Sequence, residues 1–430
     1  MLNATHPATV PLSRKRTERA FSPGPGDSAG PSSFKKARPI GPSQSFGEEL
    51  ELMSVNNSEL AGPRASHRTI GAADCAQSLV FQLTDFLPHN FRSNSAALLF
   101  GVAAESALRV LVVVTDLQVS FLDFLEHQQI QTMCRVELPG GKYHENEQPE
   151  RLSHNQIELI IGRQDLIVHP VESLWKMVGS ESLRILSFDI ETSIPEDKKS
   201  FPSPHHHAVL QIGNIVQETG DETRSYRVIY TLRGCSPIVG AEVRSFDTEG
   251  DMLLAWRQFV IDCDPDLIIG HTIARFDLMY LIHRAQLLEV PDFACLGRLK
   301  GHNTKVAEPD PKLPWRKSPI LPGRLQLDVL QYFQEKTRTL AGCKLGELAR
   351  KYLNGSTKEA DVDFTMMNEL QNGSDDDRKR LAVYCLKDAH IPMRLLFQEK
   401  CIENSVAAAR QGGDFLPFSD FLRTGRNFQY

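Results

Sequence analysis

The run RILSFDIET at residues 184–192 constrains the fold most. Along a strand, alternate residues share a face, so Leu186, Phe188 and Ile190 form an apolar side while Ser187, Asp189 and Glu191 point the other way. Two carboxylates that close repel each other and resist burial unless a cation lies between them. As a lone pair they would simply mark the solvated end of a strand. The surrounding texture narrows the choice. From about residue 182 to 400, strand-like runs (LRILSFDI, AVLQIGNIV, SYRVIYTL, LIIG) alternate with helical patterns (MLLAWRQFVIDC, LMYLIHRAQLL, LGELARKYL, RLAVYCLKDA). That alternation predicts an α/β domain whose sheet is covered by helices.

Two more acids stand where this pattern calls for apolar residues. LIIG reads as a short buried strand ended by Gly270, and Leu278, Leu281, Ile282 and Ala285 follow at helical spacing, so Asp277 opens a helix. An acid there also suits the helix dipole and by itself implies no site. In residues 378–396, Leu381, Tyr384, Cys385, Asp388, Ala389, Leu395 and Leu396 fall on one helical stripe, which Asp388 interrupts. A buried Arg or Lys partner would account for that acid equally well. Pro392 predicts a kink rather than an end, because MRLL continues the pattern. Taken together, four carboxylates from one strand and two helices are what two divalent metals require for phosphodiester cleavage. Oxygen ligands of this kind point to Mg²⁺ or Mn²⁺ rather than zinc.

The length of 430 residues favours two or three domains, and 41% hydrophobic with 24% charged residues is an ordinary globular composition. The eight cysteines form no CxxC pair, which argues against a zinc ribbon or a disulfide framework and for a reducing compartment. No apolar run reaches membrane-spanning length, so no membrane is expected as a partner. The net charge of −6 does not announce a nucleic-acid binder. Basic residues nevertheless cluster in residues 1–45, in SRKR and FKKAR, spaced like a two-part nuclear import signal, so a nuclear location is expected. The expected organisation is a disordered basic Pro/Gly/Ser tail over 1–70, a β-rich N-terminal domain over 71–180, the α/β domain over 181–405 and a connector over 406–430. The β-rich reading rests on SLVFQL, ALLFGVA and LRVLVVVTDLQVSFLDF; residues 300–324 read as an exposed Pro-rich loop, HHH at 205–207 as a solvated turn and Asp328 as a strand-ending acid.

FDIET, FDLMYL and YCLKDA resemble the three exonuclease motifs of the proofreading domain of family B DNA polymerases, and their flanks are most similar to the delta type. The resemblance is strong over about residues 165 to 430 and weak before them. It implies an RNase H-like exonuclease domain with a mixed sheet and flanking helices, preceded by a small β-rich domain. It also implies that Asp189, Glu191, Asp277 and Asp388 hold two Mg²⁺ or Mn²⁺ ions, that Tyr384 orients the attacking water, and that Thr272 and Phe276 contact substrate; Asp328 in GRLQLDVL matches a family position too, which implies a supporting role behind the site as the alternative to a strand-ending acid. The implied reaction is 3′-to-5′ hydrolysis at a single-stranded or frayed DNA 3′ end, releasing nucleoside monophosphates, with replicative polymerase accessory subunits as partners. The second motif, GHTIARFD, departs from the family's GYNIxNFD at His271, Thr272 and Arg275. Because the first Asn of that motif is associated with holding the substrate strand, the alternative expectation is a weakened remnant that binds nucleic acid or a partner. Palm motifs do not occur in the chain, which implies a truncated form without a polymerase site.

Overall fold

Strand and helix patterns are realised as two sheets. The computed structural model describes residues 46–52, 56–60, 74–104, 106–147, 149–169, 182–304, 319–339, 341–353, 362–411 and 417–424. The first sheet contains β1 (Leu79–Phe91), β2 (Asn94–Ala103), β3 (Arg109–Thr115), β4 (Arg135–Leu138), β5 (Tyr143–Glu145), β6 (Ile157–Gly162) and β7 (Ile167–His169), in the order β5-β6-β3-β2-β1-β4-β7. The second contains β8 (Arg184–Thr192), β9 (Val209–Glu218), β10 (Asp221–Leu232), β11 (Glu242–Phe246), β12 (Leu267–Gly270) and β13 (Leu325–Asp328), in the order β11-β10-β9-β8-β12-β13. This second sheet is mixed: β9 runs antiparallel to β8 and β10, whereas β8, β12 and β13 are mutually parallel. The helices are α1 (Phe46–Leu52), α2 (Phe121–Gln128), α3 (Glu249–Cys263), α4 (Asp277–Leu287), α5 (Val329–Thr337), α6 (Leu345–Tyr352), α7 (Met367–Asn372), α8 (Asp375–Gln398), α9 (Cys401–Gln411) and α10 (Phe418–Thr424).

Strand alternation sorts the second sheet into two cores. Leu186, Phe188 and Ile190 pack with Trp256 and Phe259 of α3 and Leu278 and Leu281 of α4. Ile185, on the opposite face, packs with Cys385, Leu386 and Ala389 of α8. The face that bears Asp189 and Glu191 is therefore the α8 face. The helix α8 runs unbroken through Pro392.

Two expectations need revising. The run VSFLDF folds as the start of α2 rather than as strand, because the Ser120 hydroxyl accepts from the Asp123 N–H and caps a helix that buries Phe124 and Leu125. Residues 46–52, read as part of the tail, form α1. Phe46 and Leu50 are fully buried in the α8 core, and Glu49 pairs with Lys387 at 3.2 Å and Arg394 at 3.5 Å. The basic clusters of residues 1–45, most of the Pro-rich segment and the final residues 425–430 lie outside the described residues.

A buried ionic knot joins the two sheets. The Asp266 carboxylate, at the entry to β12, accepts from the Arg184 N–H of β8 at 2.8 Å, from Arg298 Nη2 at 2.7 Å, and from Nε and Nη2 of Arg109 on β3. Neighbouring Asp264 accepts from Arg298 Nε at 2.8 Å and Arg324 Nη1 at 2.7 Å. Arg298 and Asp266 are each 1% exposed, so no water can replace a lost partner. Asp266→Ala should therefore destabilise the chain by about 3–5 kcal/mol in urea unfolding, since it leaves the buried Arg109 guanidinium without its carboxylate and removes one of the two acids that hold Arg298. An unchanged midpoint would show that the knot is neutral.

Asp85 of β1 supplies a second test. Its carboxylate accepts from the Ser419 N–H of α10 at 3.2 Å, but burial pushes its pKa up to about 7. Between about pH 4 and pH 7 the folded chain holds a proton that the unfolded chain has released. Stability should accordingly fall across that window, by up to about 1.4 kcal/mol per pH unit. In Asp85→Asn that part of the slope should vanish, as read from unfolding midpoints at pH 5 and pH 7.5.

Candidate active site

The site forms where β12 stops. Its pairing with β8 runs only from Leu267↔Ile185 to Ile269↔Ser187, so beyond Ser187 that edge of β8 has no strand partner among the described residues. At Gly270 a Cβ would stand 2.3 Å from Ile273 Cγ2 and 2.6 Å from the Phe188 carbonyl oxygen, which only glycine avoids. The chain then folds back into α4. The Asp277 carboxylate, on the first residue of that helix, accepts the free Ile190 N–H at 3.2 Å. One acid thus takes the place of the missing strand.

Helix α8 supplies the opposite side. Asp189 of β8 pairs with Gly213 of β9, and a Cβ at Gly213 would lie 3.0 Å from the backbone and Sγ of Cys385. Absence of that Cβ lets α8 settle directly on the sheet. The contact is sealed by the Ser187 hydroxyl, which donates to the Ala389 carbonyl at 2.6 Å, and by the Cys385 thiol, 3.4 Å from the Asp189 carbonyl oxygen. Tyr384 and Asp388, each the residue just before one of these contacts, line the cleft beside the carboxylate strand.

The result is one cleft of about 640 Å³, lined by Asp189, Glu191, Thr272, Phe276, Asp277, Tyr384 and Asp388. All seven residues singled out from the sequence meet there. The tightest group of ligand atoms is nevertheless Asp189, Glu191 and Cys385, all within 4.8 Å of one another. Glu191, Asp277 and Asp388 are buried, and Asp189 is half-buried. Burial pushes the Asp277 pKa up to about 8; its own N–H and that of Ile190 pull the value down, and Asp328 and Asp388 add to the rise. The Cys385 thiol is pushed well above its ordinary value by burial and by Asp189 and Glu191, which favours the neutral thiol in the metal-free chain. Carboxylate oxygens gathered in one partly buried cleft fit hard divalent cations, whose charge offsets the cost of burying ionised acids there.

Sequence reasoning missed other parts of the cleft. Phe201, 80% exposed in the loop after β8, meets Phe276 edge-on with ring centres 5.6 Å apart. A large aromatic held in solvent within a Pro/Ser loop was the available signal. Lys344 and Arg350, at the start and within α6, bring positive charge to the rim. Thr272 does line the cleft, but its hydroxyl is bonded to His271 Nδ1 at 3.0 Å, and His271 Nε2 donates to the Cys343 carbonyl at 2.9 Å. The departures in the second motif thus form their own network. His205 and His206 sit in the expected turn, while the carbonyl of His207 accepts from the Tyr280 hydroxyl at 2.7 Å.

Known proteins match much of this chain. The family described as DNA polymerase family B, exonuclease domain, matches residues 116–347, a span that includes Asp189, Glu191 and Asp277 and ends before Tyr384 and Asp388. The DNA polymerase delta catalytic subunit of Oryza sativa subsp. japonica is 41% identical over 301 residues, covering 68% of this chain and 26% of that protein. Its counterpart in Dictyostelium discoideum is 40% identical over 313 residues, 72% and 27% of the two chains, and that of Bos taurus is 39% identical over 297 residues, 68% and 26%. The chain spans about a quarter of the length of these relatives. Among solved structures, the family B DNA polymerase from the archaeon Pyrobaculum calidifontis superposes with a TM-score of 0.55 at 16% identity, over 80% of this chain and 48% of that one. At that identity the likeness speaks for the fold alone.

The approach of α8 to the sheet can be tested directly. Gly213→Ala should cost about 1–3 kcal/mol of stability, because the added methyl must push Cys385 and its helix outward. Mn²⁺ affinity should fall with it, since the same shift carries Asp388 away from Asp189. Unaltered stability and metal binding together would show that α8 has room to spare.

Proposed function

The chain belongs to the DNA polymerase family B exonuclease domain family, and from that premise we propose that its cleft hydrolyses the terminal phosphodiester at a DNA 3′ end. The observation that carries the reading is the convergence of Asp189, Glu191, Asp277 and Asp388 from one strand and two helices on one cleft. Those four carboxylates would hold two Mg²⁺ or Mn²⁺ ions. When bound, such ions supply an activated water and neutralise charge on the departing 3′ oxygen.

The chain's own groups account for the rest. Tyr384, a turn from Asp388 and in the lining of the cleft, would orient the incoming water through its hydroxyl. Phe201 and Phe276 offer aromatic faces on which a terminal base stacks without regard to its identity. Lys344 and Arg350 suit the phosphates of the strand leading into the cleft. Cys385, kept neutral, adds no charge that would compete for the ions. A single-stranded or frayed end fits this arrangement, because an unpaired base exposes its faces for stacking on aromatic rings. On the same premise the unit acts in the nucleus beside replicative polymerase accessory subunits, with residues 181–405 as the hydrolytic part.

Purified protein given a 5′-labelled primer and Mg²⁺ should produce a ladder of shortened strands, and EDTA should abolish it. Asp189→Ala and Asp388→Ala should each lower the rate by at least about 10²-fold, with primer binding in Ca²⁺ largely retained. Primer binding without shortening by the wild-type chain would overturn hydrolysis in favour of a nucleic-acid-binding remnant.

A further inference from the structure

Asp328 is the last residue of β13 and lies directly beside Gly270, the last residue of β12. Its carboxylate caps α5 by accepting from the Leu330 N–H at 3.0 Å and the Gln331 N–H at 3.4 Å. A cap needs no more than that. The same carboxylate also reaches across to the neighbouring strand's exit loop, accepting from the Thr272 N–H at 3.0 Å and the Ala274 N–H at 3.1 Å. Four backbone donors therefore converge on one buried side chain.

That loop needs holding. Thr272 has φ +76°, a left-handed conformation that a β-branched residue rarely adopts. The turn it makes feeds straight into α4: the Arg275 and Phe276 N–H groups both donate to the Thr272 carbonyl, at 3.0 and 2.9 Å, and the Leu278 N–H donates to that of Ile273 at 3.1 Å. The conformation of residues 272–274 consequently sets where Phe276 and Asp277 point. His271 fastens the other end of the loop to the Cys343 carbonyl, next to Lys344 at the cleft rim.

We propose that Asp328 is a positioning residue: it does not line the cleft, but by gripping the Thr272 and Ala274 amides it holds the strained loop that delivers Asp277 to the metal site. The inference rests on the reading of the cleft as a metal-dependent nuclease site. It differs from a purely structural role because capping and gripping use the same carboxylate yet can be separated by substitution.

Asp328→Ser keeps a hydroxyl able to cap α5 but too short to reach two loop amides. Its thermal midpoint should stay near that of the wild type. The Thr272 and Ala274 amides should lose hydrogen-exchange protection, and Mn²⁺ should bind about 10-fold more weakly in an EPR titration. Asp328→Asn, of unchanged size, keeps Oδ1 for Leu330, Gln331 and Thr272 but sets an amide nitrogen against the Ala274 N–H, so it should lose exchange protection at Ala274 and weaken Mn²⁺ binding even if the serine variant folds poorly. Wild-type exchange at both amides, or an unaltered Mn²⁺ affinity in a folded variant, would overturn the proposal. Failure of the wild-type chain to shorten DNA would instead count against the nuclease reading, and the exchange measurement decides the role of Asp328 in either case.

Discussion

Burial of carboxylates is the constraint around which the second sheet is organised. Asp277 shows its cost: desolvation raises the pKa of this acid, and repulsion from Asp328 and Asp388 adds to the rise. Packing holds the acids in place against that cost. The apolar side of β8 is fixed by Phe188 against Trp256, with ring centres 5.3 Å apart, while the acidic side is pressed against α8 at Gly213. A cation is the natural counterpart to such an arrangement, because it converts the least favourable feature of the apo chain into a binding energy.

A rigid frame is needed for acids contributed by residues nearly two hundred positions apart. Part of it is the mixed sheet itself, whose parallel strands β8, β12 and β13 end close together, so that Asp189, Gly270 and Asp328 occupy one edge of the structure. Another part is the ionic knot at Asp264 and Asp266, which ties the start of β8 and the entry of β12 to β3 of the first sheet. Both ends of the short strand β12 are thus pinned by carboxylates, Asp266 at its entry and Asp328 beside its exit. One of these acids serves cohesion between sheets, and the other shapes the loop that leads to Asp277.

Much of this was legible in one dimension. Period-two alternation in residues 184–192 assigned the two faces of β8, and the helical stripe of residues 381–396 placed Tyr384, Cys385 and Asp388 on one side of α8. Short-range competition explains the misreading at VSFLDF, where an apolar run of strand-like composition became helix because a serine cap outweighed β propensity. Residues 46–52 were illegible for a different reason: their two apolar anchors, Phe46 and Leu50, find their core in α8, more than three hundred residues away. Phe201 and Asp266 carried no periodic signal at all, since each matters through distant partners: Phe276 for the first, and Arg109, Arg184 and Arg298 for the second.

The sequence by itself determined which chemistry is available: oxygen ligands without thiolate pairs, acids inserted into apolar elements, and a second motif altered at His271, Thr272 and Arg275. Local spacing is enough for that, because periodicity reports which residues share a face. Only the tertiary structure decided that these acids share one cleft, that Cys385 lies among them as a neutral thiol, and that Asp328 grips a loop as well as ending a strand. Those outcomes depend on how closely α8 approaches Gly213 and on where β12 stops, and such distances arise from packing between remote segments rather than from the pattern within any one of them.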